Sequence, residues 1–200
     1  MFKELRKLLK KDLSKSRYEH ILGVEYTSAA LAMRYEADIF WAELAGLMHD
    51  CAKYLSGEEM LSYCKKYNIP ISEIEKKNPY LLHGKLGAYF CKHKYDISNK
   101  EVLSAIACHT TGRPAMNLLE KIIYVADYIE PRRDKAPNLN RIRKAAFEDI
   151  DEAIYLITRD TLNYLEADSE PNISEESSID PMTRETFEYY KKIHDNKLNT

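Results

Sequence analysis

Hydrophobic positions recur along most of the chain at the three- and four-residue spacing of amphipathic helices. In the first segment, 2–13, this pattern places Phe2, Leu5, Leu8 and Leu9 on one face. The later segments predicted to be helical are 16–35, 39–51, 58–67, 71–77, 83–93, 99–108, 117–129, 139–166 and 183–197, of which 139–166 could be one helix or two. No segment alternates apolar and polar residues with a period of two and β-branched enrichment, so the expected fold class is all-α.

Capping and turn residues give these helices their expected ends. Ser16, with Glu19 three residues later, has the pattern of a capping box, and Asp38 could cap the third helix. That third helix is apolar on nearly every side, which predicts a place in the middle of a bundle. Because the helices are short and turns are frequent, we expect a single-domain orthogonal helical bundle. The expected organisation is an N-terminal helix (1–15), a main domain (16–167), and a loop with a C-terminal helix packing on it (168–200).

Composition excludes several function classes. Charged residues make up 31% of the 200 residues but nearly cancel, leaving a net charge of −2, so the overall field favours neither nucleic acid nor an anionic membrane as partner. No apolar run approaches the roughly 20 residues that span a bilayer, and the N-terminus lacks a signal-peptide core. The glycines are scattered, which argues against Rossmann and P-loop chemistry. Without a C-x-x-C pair, the four cysteines are expected to be free thiols in a reducing cytoplasm: Cys51, Cys64, Cys91 and Cys108.

The most informative polar residue is Asp127, which lies within the apolar run 122–129. A buried ionised carboxylate must be paired, protonated or bound to a metal, and no Lys or Arg lies three or four positions away. The adjacent pair His49-Asp50 also follows an apolar segment. Neighbours on a helix point about 100° apart, so both could reach one ion only near a helix end. A single buried histidine is more often a hydrogen-bonded core residue than a ligand, and His93 and His194, in polar surroundings, are interpreted in that way.

The order His20, His49-Asp50 and Asp127 resembles the HD superfamily of metal-dependent phosphohydrolases. The segments 17–24, 49–53, 82–88, 109–114 and 121–133 are similar to one bacterial branch, the symmetrical bis(5′-nucleosyl)-tetraphosphatases. The resemblance implies an HD-domain fold and cleavage of diadenosine tetraphosphate into two ADP by attack of a metal-bound water. It also implies one or two divalent transition metal ions, iron first, with Mn, Co or Zn as alternatives.

Carried over by position, the resemblance assigns the site residues. One metal would be held by His20, His49, Asp50 and Asp127. His83 and His109 would bind a second metal or the phosphates, and with Asp50 they are the expected catalytic residues. A polyphosphate also needs fixed positive charge. Besides His83 and His109, the expected phosphate-binding residues are Arg17, Lys53, Thr110 and Arg133. Arg132 is a further candidate, and for Lys85 and Arg113 plain surface charge is an equally good interpretation.

Three other functions fit the same residues: another HD nucleotide phosphohydrolase, a non-catalytic nucleotide-binding sensor, and an oxidoreductase that uses two irons. The expected partner is a small-molecule nucleotide. A homodimer is a further hypothesis, through a surface formed by 2–13 and 183–197.

Overall fold

The computed structural model describes residues 1–167 and 179–199, and within these ranges every regular element is a helix. The all-α prediction is therefore confirmed. The α-helices are α1 (Phe2–Asp12), α2 (Lys15–Arg34), α3 (Ile39–Met48), α4 (Gly57–Lys66), α5 (Glu73–Lys77), α6 (His83–His93), α7 (Lys100–Cys108), α8 (Leu118–Ile129), α9 (Leu139–Glu148), α10 (Ile150–Ala167) and α11 (Pro181–Leu198). A short 3₁₀ helix, Pro79–Leu82, leads directly into α6.

The structure decides one helix boundary that the sequence leaves open and moves several others. The segment 139–166 is two helices, because Asp149 is extended (φ −151°, ψ 104°) between α9 and α10. Helix α2 is capped by Ser14, whose Oγ accepts from Arg17 N at 3.3 Å, so Ser16 lies inside the helix. Helix α3 is capped by Asp38 as predicted but ends at Met48, before Cys51. Most of the predicted loop 168–182 lies outside the described residues.

Helix α3 occupies the centre of the bundle, as its apolar sequence predicts. It packs against α2, α7 and α8, and the six residues from Leu44 to His49 are buried. Each large apolar side chain removed from water contributes about 1.5–3 kcal/mol. At Gly46, a Cβ would lie only 2.7 Å from Ser28 Oγ and 3.0 Å from Glu25 Cα, so α2 and α3 are in close contact there. This contact brings the His20 helix and the His49 helix side by side.

Helices α6 and α7 make a second close contact. A Cβ on Gly84 would lie 2.8 Å from the carbonyl oxygen of Ala107, a distance that real side chains do not reach. The absence of a side chain at Gly84 therefore lets the two helices approach. As a result, His83 at the start of α6 and His109 just after α7 lie close together.

The terminal helices pack on the outside of the bundle. Helix α1 contacts α2 through Leu5 and Leu9, and α11 contacts α10, where the rings of Tyr155 and His194 stack with centroids 4.1 Å apart. The division at residues 15 and 167 stays a prediction. In the described ranges, no helix has both the length and the apolarity to cross a membrane.

Candidate metal centre

The three buried histidines at the heart of the site sit at helix ends. His49 directly follows α3, His109 directly follows α7, and His83 joins the 3₁₀ helix to α6. The end of α3 satisfies the condition under which adjacent His49 and Asp50 can face one point. His20 differs in that it projects from within α2, and Asp127 projects from the last turn of α8.

Asp50 lies between two pairs of imidazoles. Its Oδ2 is 3.5 Å from His49 Nε2 and 3.9 Å from His20 Nε2. Its Oδ1 is 3.3 Å from His83 Nε2 and 3.6 Å from His109 Nε2. One carboxylate is thus shared by two histidine pairs, one at each oxygen.

The second carboxylate, Asp127, adds to the His20–His49 side of the site. Its Oδ1 is 3.0 Å from His20 Nε2 and 3.9 Å from His49 Nε2. All six residues expected to bind metal or phosphate at the centre therefore meet. Their ligand atoms form three overlapping groups, each within 4.8 Å: His20, His49 and Asp50; His49, His109 and Asp127; and Asp50, His83 and His109.

All four histidines are held so that Nε2 faces the centre. In three of them, Nδ1 contacts a backbone carbonyl three residues earlier, one of the carbonyls that a helix end leaves free. These pairs are His49 with Gly46 (2.7 Å), His109 with Ile106 (2.8 Å) and His83 with Tyr80. A carbonyl can only accept, so Nδ1 carries the proton and Nε2 presents a lone pair.

These donors fit a divalent transition metal. His20 Nε2 and His49 Nε2 are buried and make no hydrogen bond, although buried polar atoms are normally satisfied. Neutral imidazole nitrogens beside ionised carboxylates are the ligands that Fe, Mn, Co and Zn bind in proteins. A divalent cation held by these residues would satisfy both nitrogens.

Both carboxylates are ionised at neutral pH, although Asp50 is buried and Asp127 is only partly exposed. Burial acts to raise the pKa of Asp50, but the surrounding imidazoles of His49, His109 and His83 outweigh it and hold this pKa well below its ordinary value. Burial likewise acts to raise the pKa of Asp127, but its neighbours His20, His49, His109 and Arg133 outweigh burial and lower this pKa overall. The site therefore offers two anionic ligands without any change of protonation.

Two arginines lie against the carboxylates. Arg17 Nη1 is 2.7 Å from Asp50 Oδ2, as its position one turn before His20 predicts. Arg133 Nη2 is 2.8 Å from Asp127 Oδ1, and its Nε donates to the Asp127 carbonyl at 3.1 Å. Asp127 therefore does have a charge partner. The sequence does not reveal this partner, because Arg133 lies six positions after Asp127 rather than three or four. It reaches Asp127 because α8 ends before Pro131 and the chain folds back.

Lys53 and Thr110 lie on the other side of the centre. Lys53 Nζ is 3.3 Å from both ring nitrogens of His83, so Lys53 contacts the histidine rather than pairing with Asp50. Burial lowers the pKa of Lys53. Thr110 Oγ1 lies 3.2 Å from His83 Nε2 and 3.3 Å from His109 Nε2. Each of these groups can donate a hydrogen bond toward the centre.

The remaining positive candidates are engaged with acidic residues away from the metal ligands. Lys85 pairs with Glu75 at 2.6 Å, and Arg113 pairs with Glu120 at 2.7 Å. Arg132 is 2.6 Å from Glu19 but also lines a cavity of about 490 Å³ beside His20. The other residues lining that cavity are Ser16, Arg17, Tyr128, Glu130, Arg133, Asp134, Lys135 and Ala136. This volume lies in the range of small-molecule sites.

One site residue, Glu130, is not predicted from the sequence. Its side chain is buried, and Oε1 lies 3.0 Å from His20 Nδ1. The signal that could have identified it is its spacing: Glu130 lies three residues after Asp127, so both acids project from the same end of α8 toward α2. Within the sequence alone it looks like one more acidic residue at a helix end.

The sequence model of the family described as "HD domain" matches residues 17–132, which include all six central residues. The chain belongs to the HD-domain family. Two curated relatives are each named "Bis(5′-nucleosyl)-tetraphosphatase, symmetrical". The one from Bacillus subtilis is 39% identical over 82% of this chain and 87% of its own length. The one from Halalkalibacterium halodurans is 40% identical over the same shares.

A solved structure extends the likeness to the whole HD fold. The crystal structure of a protein from Clostridium acetobutylicum, described as a predicted HD superfamily hydrolase involved in NAD metabolism, superposes with a TM-score of 0.89. It is 37% identical and covers 96% of this chain and 98% of its own. The expected HD-domain type of helical bundle is therefore confirmed.

Proposed function

We propose that this HD-domain protein is a metal-dependent hydrolase that cleaves diadenosine tetraphosphate symmetrically into two ADP. The observation that carries the proposal is Asp50, whose two oxygens each face a pair of imidazoles in a site bordered by arginines. The substrate is supported by the curated relatives, which carry the name of the symmetrical tetraphosphatase over most of this chain.

The ligand sets follow from the two sides of Asp50. His20, His49, Asp50 and Asp127 would hold one ion, and Asp50 with His83 and His109 would hold a second. Iron is our first choice and Mn, Co or Zn the alternatives, because imidazole and carboxylate together suit these metals better than Mg or Ca. Bound metal would supply Lewis acidity and lower the pKa of a coordinated water toward neutrality.

The chain's own residues would bind and orient the polyphosphate. Arg17 and Arg133 are partly exposed and each uses only some of its N–H donors on a carboxylate, leaving others for phosphate oxygens. Lys53 and Thr110 provide donors on the opposite side, and His83 and His109 would bind phosphate there if they were protonated at Nε2. Positive charge on both sides of Asp50 suits a tetraphosphate that extends in both directions from its central P–O–P bond.

The test is a product analysis of protein purified without oxygen and supplied with Fe²⁺, Mn²⁺ or Co²⁺. Diadenosine tetraphosphate should give ADP alone, and His49→Ala should lose the ion assigned to His20, His49, Asp50 and Asp127 together with turnover. Formation of AMP and ATP would exclude symmetrical cleavage. Faster turnover of a mono-, di- or triphosphate, compared by kcat/KM, would assign the site to a different HD phosphohydrolase reaction.

We also propose that the protein works in the cytoplasm and takes a small nucleotide rather than nucleic acid or membrane as partner. The support is that all four cysteines are free and that the formal net charge is only −2. A homodimer stays a prediction that sedimentation of the metal-loaded protein would test.

A further inference from the structure

His20 differs from the other three central histidines in how its ring is held. His49, His83 and His109 sit at helix ends and place Nδ1 against a free backbone carbonyl. His20 lies well inside the 20-residue helix α2, where the carbonyls one turn earlier are already used by the helix itself. A side chain from elsewhere must therefore accept the Nδ1 proton.

Glu130 is that acceptor. It caps the C-terminal end of α8, and Oε1 lies 3.0 Å from His20 Nδ1. The other oxygen, Oε2, accepts the backbone N–H of Arg132 at 2.7 Å. Each oxygen of the carboxylate therefore holds one fixed donor, and the residue is only 1% exposed.

The surrounding chain is shaped to keep this carboxylate in place. Gly23, one turn after His20 on α2, faces it, and a methyl group there would overlap Glu130 Oε2. From the other side, Arg143 donates to the carbonyls of Ile129, Glu130 and Arg133, each at 2.8–3.0 Å, and so fixes the turn that follows α8. These contacts hold the carboxylate and the turn that carries it against α2.

We infer that Glu130 is a positioning residue for the metal centre, acting through His20. By accepting the Nδ1 proton it fixes the tautomer whose Nε2 lone pair faces Asp127 Oδ1 at 3.0 Å, and it makes that nitrogen a stronger donor to a cation. Glu130 itself touches no reacting atom. The inference rests on the proposed metal site but concerns a residue outside the set of ligands.

The experiment compares Glu130→Gln with a matched variant, Glu120→Gln. Glu120 is also a buried carboxylate on α8, but it pairs with Arg113 and the Asn117 N–H, away from the ligands. A glutamine in place of Glu130 would have one oxygen for two donors, so His20 or the Arg132 N–H loses its acceptor. We expect Co²⁺ affinity, measured by competition with a chelator, to fall roughly 10- to 100-fold in Glu130→Gln. It should stay unchanged in Glu120→Gln.

A second readout needs no metal. In the metal-free protein, ¹⁵N NMR of the histidine rings should show His20 protonated at Nδ1, and Glu130→Gln should introduce the Nε2-protonated form. Unchanged metal affinity together with an unchanged His20 tautomer would overturn the inference. If the parent protein binds no Co²⁺, the proposed function and this inference both fail, whereas equal binding by parent and variant with the same His20 tautomer contradicts this inference alone.

Gly23→Ala covers the case in which Glu130→Gln does not fold. It leaves the carboxylate charged but pushes it away from His20, and alanine favours the helix. Weakened Co²⁺ affinity with a retained thermal unfolding transition would support the positioning role. Parental affinity in this variant would count against it.

Discussion

His83 Nε2 and His109 Nε2 lie 3.0 Å apart, although both rings have their Nδ1 proton committed to a backbone carbonyl. Two lone pairs at that distance repel each other unless a positive group or a hydrogen-bond donor lies beside them. Lys53 and Thr110 are both within reach, and Asp50 Oδ1 completes the group. This side of the centre is therefore built to hold a cation, or the phosphate of a ligand if the two Nε2 atoms are protonated.

The two interpretations of this histidine pair can be separated by counting metal ions. We expect the parent protein to bind two ions and His109→Ala to bind one, with activity reduced roughly 100-fold or more because several kcal/mol of charge stabilisation is lost. Elemental analysis and the tetraphosphate assay provide the measurements. If His109→Ala keeps the parental metal count and shows only a raised KM, the pair binds phosphate instead.

Arg17 is predicted to act on the substrate rather than on the metal. Removing one charge-assisted hydrogen bond costs about 1.5–3 kcal/mol, so Arg17→Gln should lower kcat/KM by roughly 10- to 100-fold, mainly through KM. The metal content should stay parental, because four histidines and Asp127 still surround Asp50. Arg141→Gln is the matched control, since Arg141 is exposed and its ion pair with Glu152 is long, at 3.9 Å. Equal effects of the two substitutions would contradict a specific role for Arg17.

Much of the fold and the centre follows from the sequence because the deciding information is local. Asp38, Asn99 and Asn117 cap helices at the predicted starts, and α3 is central because its sequence is apolar all round. Asp127 is identifiable because a carboxylate in an apolar helix needs a cation. The helix end at His49 can also be predicted, because the adjacent residues His49 and Asp50 can face one ion only near such an end.

What could not be predicted depends on contacts between distant segments. Ser14 and Ser16 are equally good caps locally, and the extended Leu13 that ends α1 selects Ser14. Glu130 reaches His20 across 110 positions, and only the packing of α8 on α2 brings the two together. Arg133 pairs with Asp127 only because the chain turns back after Pro131.

Gly84 connects helix packing to the site. Its missing side chain allows α6 and α7 to approach, so Gly84→Ala would place a methyl group 2.8 Å from the Ala107 carbonyl. We expect a loss of about 1–3 kcal/mol in the free energy of unfolding, despite the better helix propensity of alanine. Because His83 and His109 would separate, the second metal ion should also be lost. Lys92→Ala, at an exposed position of the same helix, should change neither the thermal unfolding nor the number of bound metal ions. A Gly84→Ala variant that stays stable and binds both ions would contradict the link between helix packing and the site.

The ion pair between Arg6 and Glu25 ties α1 to α2 and should give a pH-dependent effect. Two Arg6 nitrogens bind the fully buried Glu25 carboxylate, at 2.5 and 3.1 Å. Burial raises the pKa of Glu25, and Arg6 opposes this. Arg6→Ala removes the opposing group and leaves the buried charge alone. We expect a cost of about 2 kcal/mol at pH 7, below the value for fully buried pairs because Arg6 is partly exposed.

The pH dependence of the stability lost in Arg6→Ala shows whether Arg6 contributes as the charge partner of Glu25 or by packing. In Arg6→Ala the folded-state pKa of Glu25 rises further above its unfolded value, so the folded protein holds a proton that the unfolded chain releases. Stability is then greatest below the ordinary carboxylate pKa and falls as the pH rises through the folded-state pKa. Urea unfolding of the variant at pH 5 and 7 should therefore show the smaller deficit at pH 5. The double variant Arg6→Ala/Glu25→Gln should regain most of the stability at pH 7, since no charge is left buried. A deficit independent of pH and of Glu25→Gln would mean that Arg6 contributes by packing alone.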